Sequence, residues 1–561
     1  MSTGSTKSNR NKQAKSVPTS RVRTTEPAVP DEVRAADIPH RTWLLSSIGI
    51  MLVGAVLRLY DLPLVPFHHD EGVNGNFLVR LVREGIYHYD PENYHGPTLY
   101  YFAAVIPWIL RFLFGPQAQN TYGLTTFNVR LIPALFGLGT IWMVLLLHRR
   151  LGKIGSLAAA ALLAVSPGAV YLSRYFIHES LFVFFTFGIV VASLKYYEEG
   201  HPIYLILAAA SAALLFATKE TWIISVGVLL LALLSTHVYR WLRRVLGIEA
   251  NGKRKRNGNE RSTGQSEWFE ETSSRLGDPI NIAIWAVVAV GVFAGVGLLF
   301  YSSFLTNWKG VSDSLLTFKV WTKTGKTAHV HEWWMYIKWL LEEEAPLLLL
   351  GTLGAVIAVI KPKNIFALFC AFWAFGILAA YSLVPYKTPW LALNFIVPLA
   401  LIGGYVFQRV YEYGGNELLR PLILLGVLAL GSSVYQMVQL NFFKYDDDHY
   451  AYVYAHTRRE TLAMLNEIDK VVSRSGTGLD TGITIVSPDY WPLPWYFRDY
   501  RRVGYYGQVS SSNEPIIIAS EAQQDAVQSA FGDRYRLVGS KFALRPGVEL
   551  LLFVRKDLAG P

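Results

Sequence analysis

Along the chain, apolar and polar residues fall in long blocks, not in the short alternation of a water-soluble fold. Apolar runs of roughly 20 residues are long enough to cross a hydrocarbon core of about 30 Å. They lie near 42–60, 128–147, 154–172, 178–195, 203–218, 221–239, 281–303, 346–361, 364–384, 389–408 and 420–440, which predicts about eleven transmembrane helices. A further apolar, aromatic-rich stretch covers 97–115 and carries Pro107 and Arg111. The first 41 residues are polar and lack hydrophobic periodicity, predicting a disordered tail. The run from Trp43 to Tyr60 starts too late and is too long for a cleaved signal segment. From about 441 the pattern changes. Leu462, Leu465, Ile468 and Val472 have helical spacing, strand-like runs follow at ITIVSPD, PIIIAS, YRLVGS and VELLLFVRKD, and a second helix falls near 521–531. We therefore expect an all-α polytopic membrane protein, 42–440, followed by a small α/β domain, 441–561. The insert 240–280, charged and rich in Gly, Asn and Ser, predicts a flexible loop.

Composition agrees. Of 561 residues, 52% are hydrophobic and 17% charged, against about 25% charged in an ordinary soluble domain. This argues against a fully soluble enzyme, a disordered protein and a fibrous one. The net charge of +10 suits cytoplasmic loops facing anionic lipid better than a nucleic-acid surface. A single cysteine, Cys370, excludes an intramolecular disulfide framework. Basic clusters occur in the N-terminal tail, at His148-Arg149-Arg150 with Lys153, from Arg240 to Arg256, and at Lys361 with Lys363. All of them face the cytoplasm if 97–115 does not cross, so we expect an interfacial or re-entrant helix there, with a twelfth span as the alternative. The expected topology is a multi-pass plasma-membrane protein with a cytoplasmic N-terminus and an extracytoplasmic C-terminal domain. Residues 61–96, 173–177, 219–220, 304–345 and 385–388 also lie outside.

Nine of the thirteen histidines then fall on the outer side: His68, His69, His88, His95, His178, His329, His331, His449 and His456. Ionisable groups near membrane level are costly and default to functional candidates. The densest segment runs from Phe67 to Tyr101 and contains the adjacent carboxylates Asp70 and Glu71 beside His68 and His69, with His95 in YHGP. Gly72 and Gly75 suggest close backbone approach to a ligand; the structural alternative is a helix start with Asp70 as cap and Glu71 in its first turn. In SRYFIHES, Arg174, His178 and Glu179 gather at a span end, either as site residues or as a snorkelling arginine with an intramembrane partner. Lys219 and Glu220 join two spans with almost no loop, as site residues or a local ion pair. In PYKTPW, two prolines stiffen a turn that aims Lys387 at a phosphate or at lipid head groups. His329 and His331 are weak metal-ligand candidates, since the flanking Trp333 and Trp334 equally suggest an interfacial anchor. The aromatic run WPLPWYFRDYRRVGYY is compatible with sugar stacking, head-group contact or ordinary core.

These motifs resemble the GT-C membrane glycosyltransferases. The segments HHDE and YHGPTLYY, followed by FNVRLIPALFGLGTIWMVLLLHRRLG, resemble the dolichyl-phosphate-mannose–protein mannosyltransferases and the lipid A aminoarabinose transferases. There, too, a juxtamembrane helix follows the carboxylate motif and an arginine, here Arg130, begins the next span. Most closely, over most of residues 42–510, HHDEGVNGNF, YHGPTLYY, SRYFIHES, KET, PYKTPW and DYWPLPWYFRDY resemble the flippase-activity-associated membrane proteins of archaeal and bacterial glycosylation.

The resemblance implies transfer of a sugar from a polyprenyl-phosphate donor to a glycan or protein acceptor on the outer face, with inversion. Asp70 would be the general base and Glu71 would position acceptor or metal. Lys387, Arg174 and Lys219 would meet the phosphate, and His69, His95, His178, Glu179 and Glu220 would complete the substrate site. No cofactor is certain, because some GT-C enzymes use a divalent metal ion and others do not. The alternative is a lipid-linked sugar flippase or transporter component. Transporters usually carry internal repeats and midplane ionisable groups, and neither is evident here. A third reading is a non-catalytic membrane scaffold presenting the C-terminal domain, which leaves HHDE and the grouping of histidines unexplained.

Overall fold

A computed structural model describes residues 38–93, 95–115, 123–248, 279–324, 329–413 and 415–560. The N-terminal tail expected over 1–41, except its last residues, and most of the insert 240–280 lie outside the described residues. Helices come first: α1 (His40–Leu59), α2 (His69–Glu84), α3 (Thr98–Phe114), α4 (Thr126–Leu146), α5 (His148–Leu151), α6 (Lys153–Val165), α7 (Pro167–Ser173), α8 (Glu179–Glu199), α9 (Pro202–Phe216) and α10 (Trp222–Val245). Further apolar helices cover Pro279–Tyr301, Ala345–Ile360, Ile365–Leu383, Leu393–Tyr413 and Gly415–Val438. Among the described residues, eight helices or helix runs are long and apolar enough to cross a membrane, or ten if two bent pairs each make one span.

The breaks have identifiable causes. The run expected at 154–172 is two helices meeting at 61°. Pro167 has no N–H to continue the ladder, and the Ser166 hydroxyl caps the new helix by accepting from Ala169 N. The segment expected to be loop between 304 and 345 instead carries helices Lys309–Thr324 and Met335–Glu343, the latter bent by 113° onto Ala345–Ile360.

The start of α3 is held at Gly96 and Thr98, whose N–H groups donate to Thr218 and Ala217 carbonyls. Its last residues, Phe112 to Phe114, are exposed. The chain then enters α4 at Leu124 and Thr126, which accept hydrogen bonds from Arg498 and Trp495. Those two residues belong to the C-terminal region that packs on α2. At 17 residues, α3 falls among the apolar helices shorter than the candidate spans.

The C-terminal region forms a five-stranded sheet of β1 (Ile483–Ile485), β2 (Val503–Tyr505), β3 (Ile516–Ser520), β4 (Tyr535–Arg545) and β5 (Val548–Arg555), in the order β2-β1-β3-β5-β4. β1 lies parallel between β2 and β3, and β5 runs antiparallel to β3 and β4. The helix Glu460–Ser475 packs Met464, Ile468 and Val471 under it, with Ile483, Ile516 and Leu552 in the same core. The described residues from Ile38 onward make one compact unit, so the sheet is not a loosely tethered appendage.

The join is specific. Trp495 stacks on Phe67 with ring centroids 4.4 Å apart, and the Tyr496 hydroxyl accepts from Phe67 N at 2.8 Å. A Cβ on Gly75 would stand 2.7 Å from the Trp495 ring, and one on Gly72 would stand 2.8 Å from Pro492. Gly72 and Gly75 thus admit the WPLPW segment, where the sequence had suggested a ligand. Gly75→Val should loosen this joint, and limited proteolysis in lipid should then cut between the bundle and the sheet. Unchanged protection would show that the contact is dispensable.

Candidate active site

A cavity of about 410 Å3 lies where the first loop, the α8 start and the C-terminal region meet. Its wall comprises His68, His69, Asp70, Val73 and Asn74 of the α2 start, with Glu92, Asn93 and His95. Ile177, His178, Glu179, His329, Tyr386, Trp390, Tyr454, Ala455 and Arg545 complete it. These residues come from segments read as outer loops and from the adjoining ends of two expected spans, 178–195 and 389–408.

The α2 start explains how two adjacent carboxylates take opposite roles. His68 is the N-cap, in place of the Asp70 cap considered from sequence. Its Nδ1 accepts from Asp70 N at 3.0 Å, which leaves Nε2–H to donate to the Tyr454 carbonyl at 3.1 Å. Glu71 closes the capping box by accepting from His68 N at 2.9 Å. Glu71 is wholly buried. Oε1 accepts from Arg130 Nε at 2.7 Å and Phe176 N at 2.7 Å, and Oε2 accepts from Arg130 Nη2 at 2.6 Å besides His68 N. Arg130 spends its remaining N–H groups on the carbonyls of Leu62, Val65 and Pro66. Glu71 is therefore absent from the cavity wall and has no lone pair left for acceptor or metal. Asp70 is on the wall, with 42% of its side chain exposed.

The other expected site residues divide in the same way. His69, His95, His178, Glu179 and His329 line the cavity. Burial holds the His69 imidazole below the ordinary histidine value. His178 Nε2 bonds the Gly96 carbonyl at 3.0 Å, and its Nδ1 is buried without a protein partner. Glu179 is bound by Lys219 Nζ at 2.6 Å, and Glu220 by His95 Nδ1 at 3.2 Å. Lys219 and Glu220 thus stand behind the wall, supporting it. Arg174 donates to the carbonyls of Leu57, Tyr60 and Asp61, and its guanidinium lies over Phe442. Lys387 turns away from the cavity and donates to the carbonyls of His331 and Val384. None of the three cations expected to meet a phosphate lines the cavity.

His329 and His331 diverge. The first bonds Tyr454 Oη at 2.8 Å and the second packs on Trp339. Among the described residues the three-ligand group of metal-binding type is Asp447, Asp448 and His449, away from the cavity wall.

Sequence reasoning missed Tyr386, Trp390, Tyr454 and Arg545 on the wall. PYKTPW had been singled out, but for its lysine. Among the described residues, Arg545 is the only lysine or arginine on the wall. It sits at the end of β4, pairs with Asp489, and lies 3.3 Å from His69 Nδ1 and 3.4 Å from the Trp491 carbonyl oxygen.

The solved structure most informative about this arrangement is ArnT from Cupriavidus metallidurans bound to undecaprenyl phosphate. It superposes with a TM-score of 0.59 at 14% identity, covering 93% of this chain and 100% of that one. The chain has the GT-C fold. The apo form of the same ArnT gives 0.55 at 14% identity, covering 93% and 99%. The Archaeoglobus fulgidus oligosaccharyltransferase in complex with Zn and sulfate gives 0.48 at 14% identity, covering 92% of this chain and 75% of that one. The family model described as dolichyl-phosphate-mannose-protein mannosyltransferase matches residues 103–248, a segment that starts beyond Asp70. No curated protein sequence matches the chain.

Breaking a buried ion pair from one side costs about 3–5 kcal/mol. Glu71→Ala and Arg130→Ala should each lower thermal stability in lipid by about that much, whereas Asp70→Asn should leave it within about 0.5 kcal/mol. Equal losses at positions 70 and 71 would refute the division of roles.

Proposed function

We propose that this protein is an integral-membrane glycosyltransferase. It moves a sugar from a polyprenyl-phosphate donor to a glycan or protein acceptor at the outer face of the plasma membrane. The observation that carries the reading is Asp70: a carboxylate on the wall of a polar cavity at the end of a membrane bundle, held at its backbone while its side chain stays accessible. The GT-C fold and a same-fold relative with undecaprenyl phosphate bound support the donor class.

In the proposed step, Asp70 takes the proton of an acceptor hydroxyl. The acceptor oxygen attacks the anomeric carbon from the face opposite the phosphate, the C–O bond to phosphate breaks, and its electron pair leaves with the lipid phosphate. One displacement inverts the anomeric centre. General-base help of this kind contributes about 10² to 10⁴ in rate. The charge gathering on the phosphate needs a cation, and Arg545 is the guanidinium on the wall. The fixed network of His95–Glu220 and Glu179–Lys219 supplies hydroxyl-binding groups in set orientations. His178 Nδ1 is a free acceptor for a sugar hydroxyl. A divalent cation, where one takes part, would draw on the Asp70 side of the cavity.

Asp70→Asn should lower acceptor-dependent sugar release from a labelled polyprenyl-phosphate monosaccharide panel by about 10²-fold or more. Full release in that variant removes Asp70 as the base. No turnover with any donor, while labelled lipid crosses the bilayer, favours the transporter reading instead. Arg545→Gln should weaken binding of polyprenyl phosphate by roughly tenfold, and Lys387→Gln should not. The reverse ranking returns the phosphate to Lys387.

A further inference from the structure

The aromatic run after β1 has a definite place in the fold. Tyr490 and Trp491 follow the carboxyl end of β1, and Tyr505 and Tyr506 lie at the carboxyl end of the parallel strand β2. Tyr490 lies 5.7 Å from Trp491 and 5.0 Å from Tyr505, centroid to centroid. Trp491 in turn approaches His69 of the cavity wall at 6.2 Å. Tyr505 and Tyr506 are 37% and 55% exposed. The rings thus make a continuous series from the cavity wall outward across the end of the sheet. Where this series meets the cavity, the Asp489 carboxylate and Arg545 guanidinium form an ion pair, and Arg545 also donates to the Trp491 carbonyl.

β1 is also where the strand order turns back, since β2 lies on one side of it and β3 on the other. Ligands of open sheets gather outside the carboxyl ends of strands at such a point. Aromatic faces bury the C–H faces of pyranose rings, while a neighbouring carboxylate and guanidinium bind their hydroxyls.

We infer that this platform is a subsite for the saccharide portion of the acceptor, which continues from the cavity over the C-terminal sheet. The inference rests on the glycosyltransferase reading for the word acceptor, but the saccharide binding itself does not. The join at Gly72 and Gly75 then has a purpose beyond packing: it holds the platform in register with Asp70.

The test uses the full chain in lipid nanodiscs on an array of defined hexose, hexosamine and uronate oligosaccharides. Wild type should bind a subset of them. Tyr505→Ala and Trp491→Ala should each weaken that binding roughly tenfold, with polyprenyl-phosphate affinity unchanged in Tyr505→Ala. Tyr506→Ala, at the most exposed ring, gives the same readout should Trp491→Ala disturb the join. Platform-dependent glycan binding in a protein that transfers no sugar from any donor would uphold the subsite while the transferase reading falls. No glycan bound by wild type, or equal binding in all variants, overturns the inference. So does labelling of Tyr505 and Tyr506 by a photoactivatable lipid in place of protection by glycan, which assigns the patch to the head-group layer.

Discussion

The geometry around the cavity depends on one buried ion pair. Glu71 and Arg130 lie where water does not reach, and isolated charges there would be prohibitively desolvated. They are tolerated because every acceptor position of the carboxylate and every N–H of the guanidinium is used. The pair closes on itself, and its surplus bonds gather the 62–66 turn, the start of α2 and the 176 backbone around one point. Successive residues of a helix are rotated by about 100°. A helix start nailed down at Glu71 therefore turns Asp70 onto a different face, toward the cavity. Two neighbouring carboxylates in the sequence thus become a buried structural anchor and an accessible group on the cavity wall.

The same logic recurs in the second rank of charges. Lys219 holds Glu179, Glu220 holds His95, and Arg174 collects three carbonyls at the end of α1 and the turn after it. Lys219 and Glu220 each neutralise or orient a group on the wall, and Arg174 fixes the turn that leads from α1 toward it. A cavity built this way presents polar atoms in set positions without reorganising around each substrate, which is what charge stabilisation in a transition state requires.

Much of the fold was legible in the sequence. Apolar blocks mark the spans because hydrocarbon demands them, and the helix Glu460–Ser475 and four of the five strands fell where periodicity placed them. The short strand β2 escaped because its three residues sit in an aromatic run with no alternation. The break at Ser166 and Pro167 was hidden inside a continuous apolar run. Around the cavity, the HHDE segment and the singled-out His69, His95, His178 and His329 come together on one wall. Partners, however, are not written in a charge. Arg174, Lys219 and Lys387 looked like three available cations, and each is committed to a neighbour that only folding supplies. Arg545 carries no local signal at all, since it reaches the wall from a strand distant in sequence. The Gly72 and Gly75 pair announced a close approach correctly, but the approaching group is Trp495 with Pro492.

The position of Arg545 also bears on how the protein is made. β4 is the edge strand paired with β5, near the end of the sequence, whereas Asp70 stands at the start of α2. The bundle is threaded into the bilayer while the last wall of its cavity has yet to leave the ribosome. Until β4 and β5 pair, the carboxylate stands in an open cleft with no guanidinium opposite it. A chain lacking β4 and β5 would leave the cavity without the Arg545 side of its wall.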